Sequence, residues 1–247
     1  MLFDRKTIVR LIAYCIASIL LVCSPVYAGD SDKAGSSEVE ATENDRMPDD
    51  DSNDTDEWCL ILVNKQNHIP EDYEPELTSI NNSMMADKRL VTDLRRMFNA
   101  AQKDGISLWV CSAYRSYDRQ TQLFNNKIKK CHSKGVSYLD AYAEASMSVT
   151  VPGASEHQLG LALDIVTSSY TSLNEGFGDT KAGRWLAKNA PDYGFILRYP
   201  KGKEDVTGII YEPWHFRYVT TRYSKEITDL NVTLEEYLSD YYNRTEE

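Results

Sequence analysis

Residues 29–57 carry twelve acidic side chains against two basic ones, Lys33 and Arg46, with almost no large apolar residue before Trp58. A stretch so charged cannot bury enough surface to offset the entropy of ordering it. It reads as a solvated spacer and confines the packed core to residues 58–247. It also holds most of the acidity of the chain. Of the formal net charge of −11, this segment carries −10, and the 190 residues after it carry −3. No basic patch points to nucleic acid.

Residues 1–28 have the layout of an export segment. Arg5, Lys6 and Arg10 give a positive start, an apolar run extends from Leu11 to Cys23, and Ala28 offers a small residue for cleavage. The run is also long enough to be an uncleaved membrane anchor. Either way the chain is expected outside the cytoplasm, secreted or held on the outer face of the membrane, as a monomer. Three cysteines follow the leader, Cys59, Cys111 and Cys131, without metal-type spacing. In an oxidising compartment Cys59–Cys111 is the expected pair.

Within 58–247 the apolar run 59–63 reads as a buried strand. Residues 64–75 contain two prolines and read as a loop. Leu90, Leu94, Met97 and Ala101 recur at helical spacing within 85–101, and Gly105 supplies a stop. The pattern continues with a strand at 106–113, helices at 117–130 and 138–148, a strand at 161–166 and a short helix at 185–189. Strands are expected at 193–199 and 209–218, and Thr233 with Glu236 opens a last helix. Helices early and late, with strands grouped in the second half, indicate an α+β domain rather than a βαβ alternation.

Two clusters carry chemistry. The first runs from Ser155 to Asp164. Alternation along 161–166 sets Leu161, Leu163 and Ile165 on one face and Ala162, Asp164 and Val166 on the other. A carboxylate on a buried strand needs a partner. Read alone, Asp164 is equally a turn cap, half of an Arg pair, or a metal ligand. The second cluster is Glu212-Pro213-Trp214-His215. Only four histidines exist in the chain, and His157 and His215 fall one in each cluster. Two imidazoles and one carboxylate form a common catalytic zinc set with an open position, and Glu212 would serve as base. Glu212 and His215 are three apart, which a regular strand would place on opposite sides, so Pro213 must bend the chain. His68 and His132 read as surface residues. In a third cluster, 112–120, Arg115 could fork onto a carboxylate or simply pair with a surface acid.

These segments resemble the VanY-type zinc D-alanyl-D-alanine carboxypeptidases. The matching runs are SAYRSYDRQ at 112–120, PGASEHQLGLALDI at 152–165, GFILRYP at 194–200 and EPWHFRYV at 212–219, with flanking likeness at 60–75 and 233–238. The resemblance implies zinc on His157, Asp164 and His215, with Glu212 as general base. It implies that Arg115 binds the terminal carboxylate of a peptidoglycan stem peptide, assisted by Ser155 and Gln120. It also implies a mostly antiparallel central sheet flanked by helices, the fold of the Hedgehog signalling domain and the DD-peptidases. Two positions depart from the family pattern: Cys111 precedes the first run, and Thr220 stands where a glycine is expected. The implied reaction is removal of a terminal D-alanine. L,D-carboxypeptidase action on a shortened stem shares every motif. A non-catalytic wall-binding module would have lost a ligand or the base, and all four positions are filled.

Overall fold

The computed structural model describes residues 56–245, and the side chains of 58–240. The leader and nearly all of the acidic spacer lie outside the described residues. Among the described residues no helix is long and apolar enough to cross a membrane.

Four short strands form the sheet that organises the domain: β3 (Trp109–Ser112), β4 (Ala162–Val166), β5 (Phe195–Leu197) and β6 (His215–Tyr218). Their order is β3-β4-β6-β5 and every pairing is antiparallel. β4 lies inside the sheet and is buried at all five positions. Leu163 and Ile165 join the main core, where they meet Leu90, Leu94, Met97 and Ala101. The first of these precedes helix α1 (Val91–Lys103) and the others line its inner face. Phe216 and Tyr218 of β6 enter the same core, while His215 and Arg217 alternate to the opposite side. A separate two-stranded hairpin, β1 (Leu77–Ser79) with β2 (Met85–Asp87), precedes α1.

Helices α2 (Tyr117–His132) and α3 (Tyr138–Ser146) form a hairpin with its own small core of Phe124, Ile128, Cys131, Ala141 and Ala145. α4 (Lys181–Asn189) follows, then one short turn of helix, α5 (Glu204–Thr207). α6 (Thr220–Asp229) and α7 (Leu234–Thr245) close the chain. A second core there unites Cys59 and Leu60 with Tyr223, Ile227, Leu234, Tyr237 and Leu238. The first and last segments of the described chain thus pack on each other.

Several expected elements shift. Residues 59–63 are not a strand: a 3-10 turn covers Asp56–Leu60, and the chain then runs irregularly. An apolar run of five does not distinguish strand from turn. Here the carbonyls of Cys59 and Ile61 accept from the Arg217 guanidinium instead of a neighbouring strand. The helix expected from 85 starts at Val91, because Met85–Asp87 pair with β1 and Asp87 accepts from Arg89 N to cap a 3-10 turn. Of 209–218, only His215–Tyr218 is strand. No disulfide joins Cys59 to Cys111: Cys111 sits on β3, whereas Cys59 lies against the far end of β6, with β4 between those strands. His68 and His132 are exposed, as expected.

Candidate active site

The sheet register assembles the site. Asp164 on β4 stands directly opposite His215 on β6 and, across the other edge, pairs with Ser112 on β3. His157 arrives from a 3-10 turn, Glu156–Leu159, that folds back on β4 at Gly160. Gly160 has a φ of +75°, and a Cβ there would lie 2.9 Å from Leu77 Cδ2 and 3.0 Å from Asp87 N. Both the left-handed backbone and the crowding demand glycine. The turn is pinned from outside by Asp87 N donating to Gly160 O at 2.9 Å and Arg115 N donating to His157 O at 3.1 Å. A separation of seven positions between His157 and Asp164 thereby becomes direct contact.

His157 Nε2 lies 3.4 Å from Asp164 Oδ1, and His215 Nδ1 lies 3.3 Å from the same oxygen. All three side chains are buried and offer ligand atoms within 4.8 Å of one another. Zinc bonds of about 2.0–2.2 Å in tetrahedral geometry place neighbouring ligand atoms about 3.3–3.5 Å apart. Asp164 Oδ1 is buried without a hydrogen-bond partner, while Oδ2 accepts from Arg115 at 2.8 Å. An orphaned carboxylate oxygen between two imidazoles is costly unless a cation fills the gap. The donor set, its spacing and the orphaned oxygen therefore fit a small divalent metal. His157 Nδ1 faces Ala113 O at 2.8 Å. As the donor to that carbonyl it leaves the Nε2 lone pair toward Asp164.

Glu212 joins the site through the bend expected at Pro213. β6 begins only at His215, and His215 N donates to Glu212 O at 3.1 Å across a tight turn. That turn brings Glu212 Oε2 to 3.7 Å from His215 Nδ1. Burial, reinforced by the charge of Asp164, raises the Glu212 carboxyl to about 8, against the opposing pull of His215, Arg115 and Lys127. Burial and the Arg115 charge lower His157 to about 4. His215 moves the other way: burial opposes its charge, but contacts with Asp164 and Glu156 prevail and raise it to about 9. Burial pushes Asp164 upward, yet His157, His215 and Arg115 together hold it well below the usual carboxylate range.

Arg115 leaves the end of β3 toward the cluster. Its Nε donates to Ser112 Oγ at 3.0 Å, one terminal nitrogen to Asp164, and the other to Gln120 Oε1 at 3.4 Å. Two of its five N–H donors, one on each terminal nitrogen, remain uncommitted. Gln120 is fully buried and is fixed by donating to Thr150 O at 2.7 Å, so it touches the site through Arg115. Ser155 opens the 3-10 turn before His157; it is buried and its side chain makes no capping bond.

Behind His215 stands a layer that the sequence alone does not single out. Glu156 is fully buried between Arg198 and Arg217, and Tyr199 packs its ring 4.8 Å from that of His215. All four lie within the quoted runs, but single buried charges read as surface charges when their partners come from distant segments.

Two imidazoles, one carboxylate and an adjacent second carboxylate on an antiparallel sheet are the layout of a single-metal peptide hydrolase. Comparison with known proteins agrees. The VanY family profile, D-alanyl-D-alanine carboxypeptidase, matches residues 83–221. A D-alanyl-D-alanine carboxypeptidase of Enterococcus faecalis is 42% identical over 187 residues, 75% of this chain and 68% of that protein. The structure of a vancomycin-resistance D,D-pentapeptidase VanY in complex with Zn(II) has 41% identity and a TM-score of 0.67, covering 73% of this chain and 99% of that one. The LdcB LD-carboxypeptidase structure has 44% identity and a TM-score of 0.64, covering 72% and 84%. The chain belongs to the VanY family of carboxypeptidases and has the Hedgehog/DD-peptidase-like fold.

Proposed function

We propose that this chain is a zinc-dependent D,D-carboxypeptidase that removes the terminal D-alanine from peptidoglycan stem peptides. The observation that carries the reading is the convergence of His157 Nε2, Asp164 Oδ1 and His215 Nδ1 at zinc-ligand spacing, with Glu212 beside them. His157, Asp164 and His215 would hold the metal, which supplies Lewis acidity to the scissile carbonyl and to the attacking water. Glu212 takes the proton of that water on its carboxylate and returns it to the leaving amine. Its buried position makes it a stronger base than an exposed carboxylate, and the charge of a cation held by His157, Asp164 and His215 would keep it ionised near neutral pH. Arg115 turns its two uncommitted donors toward the free carboxylate of the peptide, which restricts attack to the last bond. Gln120 and Ser112 hold the guanidinium group, and Ser155, at the start of the turn that carries His157, would assist in binding the substrate.

The test is Glu212→Gln. Zinc content by elemental analysis stays at the wild-type level, and D-alanine release falls by about 10²–10⁴-fold, the range for a lost general base. Full activity in the variant refutes the role. A second reading, L,D-carboxypeptidase action, is supported by the likeness to LdcB. Purified pentapeptide and tetrapeptide stems, followed by mass spectrometry, separate the two: D,D action trims the former and spares the latter. The reading also takes 1–28 as an export leader or anchor, 29–57 as a spacer and 58–247 as the catalytic domain. Fractionation of expressing cells tests this part, and retention of the enzyme in the cytoplasm would sink it.

A further inference from the structure

Two buried polar atoms at the back of the site face each other. Glu156 Oε2 and His215 Nε2 are both shut off from solvent, neither has a hydrogen-bond partner, and they lie 3.6 Å apart. That separation exceeds a formed hydrogen bond, yet among the described residues neither atom has another hydrogen-bond partner. The Glu156 carboxylate is not free to turn elsewhere. Its Oε1 accepts from Arg198 Nε at 2.7 Å and from Arg217 at 2.9 Å. Arg198 forks onto Glu235 of α7 at 2.7 and 2.8 Å, and Arg217 is anchored on the carbonyls of Tyr218, Cys59 and Ile61.

Burying two carboxylates and two guanidinium groups costs several kcal/mol per ion before their attraction is counted, and apolar packing of equal volume often does as well for stability. A network of this kind is better explained by what it orients. A neutral imidazole carries its proton on one nitrogen and its lone pair on the other. His157 has Ala113 O to hold its proton on Nδ1. His215 presents the opposite nitrogen to Asp164, and the acceptor facing its far side is Glu156 Oε2. The two imidazoles therefore need opposite tautomers, each set by a different acceptor.

We propose that Glu156 is a positioning residue: its Oε2 accepts the Nε2–H of His215 and so fixes the tautomer whose Nδ1 lone pair points at Asp164, while Arg198 and Arg217 hold the carboxylate in place. This rests on the reading of His157, Asp164 and His215 as metal ligands. In Glu156→Gln the amide oxygen can stay with the guanidinium groups, which turns the NH2 toward His215 Nε2. Donor then faces donor, and the imidazole is driven to carry its proton on Nδ1, the ligand position.

The experiment has two arms. In the first, zinc affinity is measured by competition with a chromophoric chelator, with folding checked by circular dichroism. Glu156→Gln is expected to stay folded and bind zinc about 10–100-fold more weakly, the usual effect of losing a carboxylate behind a ligand histidine. Binding within twofold of wild type overturns the proposal. In the second, ¹⁵N-histidine NMR of the zinc-loaded wild-type protein is expected to show His215 protonated on Nε2 and metallated on Nδ1, and His157 the reverse. The same tautomer in both rings overturns the proposal, and this arm decides alone if the variant does not fold. A purely structural Glu156 would leave the tautomers unassigned by its charge and the variant's affinity unchanged. Failure of the wild-type protein to bind zinc at all is a distinct result, and it removes the metal reading together with this inference.

Discussion

Single residues carry both the strength of the proposed site and one visible strain. Arg115 serves two masters, Asp164 behind it and the proposed substrate carboxylate in front. Arg115→Lys keeps a cation beside Asp164 but loses the planar fork. We expect kcat/KM for the stem peptide to fall about 10–100-fold, the equivalent of about 1.5–3 kcal/mol for a charged hydrogen bond, chiefly through KM in steady-state kinetics. Thr220 is the strained residue. It has a φ of +64°, a β-branched side chain in the left-handed region, and its buried Oγ1 has no partner. Glycine avoids both costs, so Thr220→Gly should stabilise the protein by about 1 kcal/mol in urea unfolding; a loss of stability would show that the threonine side chain packs more favourably than its backbone suggests. At this scale the sequence was readable wherever a residue type states its own chemistry. Two of four histidines sat in motifs with carboxylates, and the family pattern flagged position 220. Glu156, Arg198 and Arg217 were not readable as a network, because each is an ordinary charge until the fold removes water from around it.

Elements were legible where local signals fix them and not where a partner does. The last helix was announced by Thr233 and Glu236, and the structure closes that capping box in both directions: Thr233 N donates to Glu236 Oε2 at 2.7 Å, and Glu236 N donates to Thr233 Oγ1 at 3.2 Å. The strand expected at 59–63 failed because its backbone partner is an arginine side chain, which no hydropathy pattern reveals. The capping box makes two predictions for α7. Thr233→Ala should cost about 1 kcal/mol of stability by thermal melting. The backbone bond from Thr233, aided by Lys203, lowers the Glu236 carboxyl below its ordinary value. A depressed carboxylate contributes stability that is fully present above its unfolded value and is lost as pH falls through the folded one. The difference in Tm between wild type and Glu236→Gln should therefore be constant near neutrality and shrink below about pH 4.5. A gap unchanged down to pH 3 would mean that the charge of Glu236 does not matter to the cap.

At the scale of the whole molecule, the two ends of the described chain are tied to the back of the site. Cys59 O and Ile61 O receive Arg217, Glu235 of α7 receives Arg198, and both guanidinium groups meet on Glu156. The C-terminal helix thus contributes no proposed ligand yet completes the charge balance behind one. Glu235→Ala leaves Arg198, fully buried, with a single carboxylate. Removing one partner of a buried pair typically costs about 3–5 kcal/mol. The Glu235 side chain is 13% exposed, which favours the lower end, about 3 kcal/mol. For a domain of this size that is a fall in Tm of about 6–12 °C. Zinc separates this loss of stability from damage to the site. A ligand that binds only the folded state adds about 2.7 kcal/mol at a hundredfold excess over its Kd, so wild-type protein should melt about 5–10 °C higher with zinc than with chelator. If Glu235 acts only as a structural clamp, the variant gains the same increment from a lower starting point. If it also holds Glu156 in register through Arg198, the increment shrinks at the same zinc concentration, because the site itself has weakened. Melting both proteins with and without metal distinguishes these outcomes, and an unchanged Tm in the variant would exclude the clamp altogether.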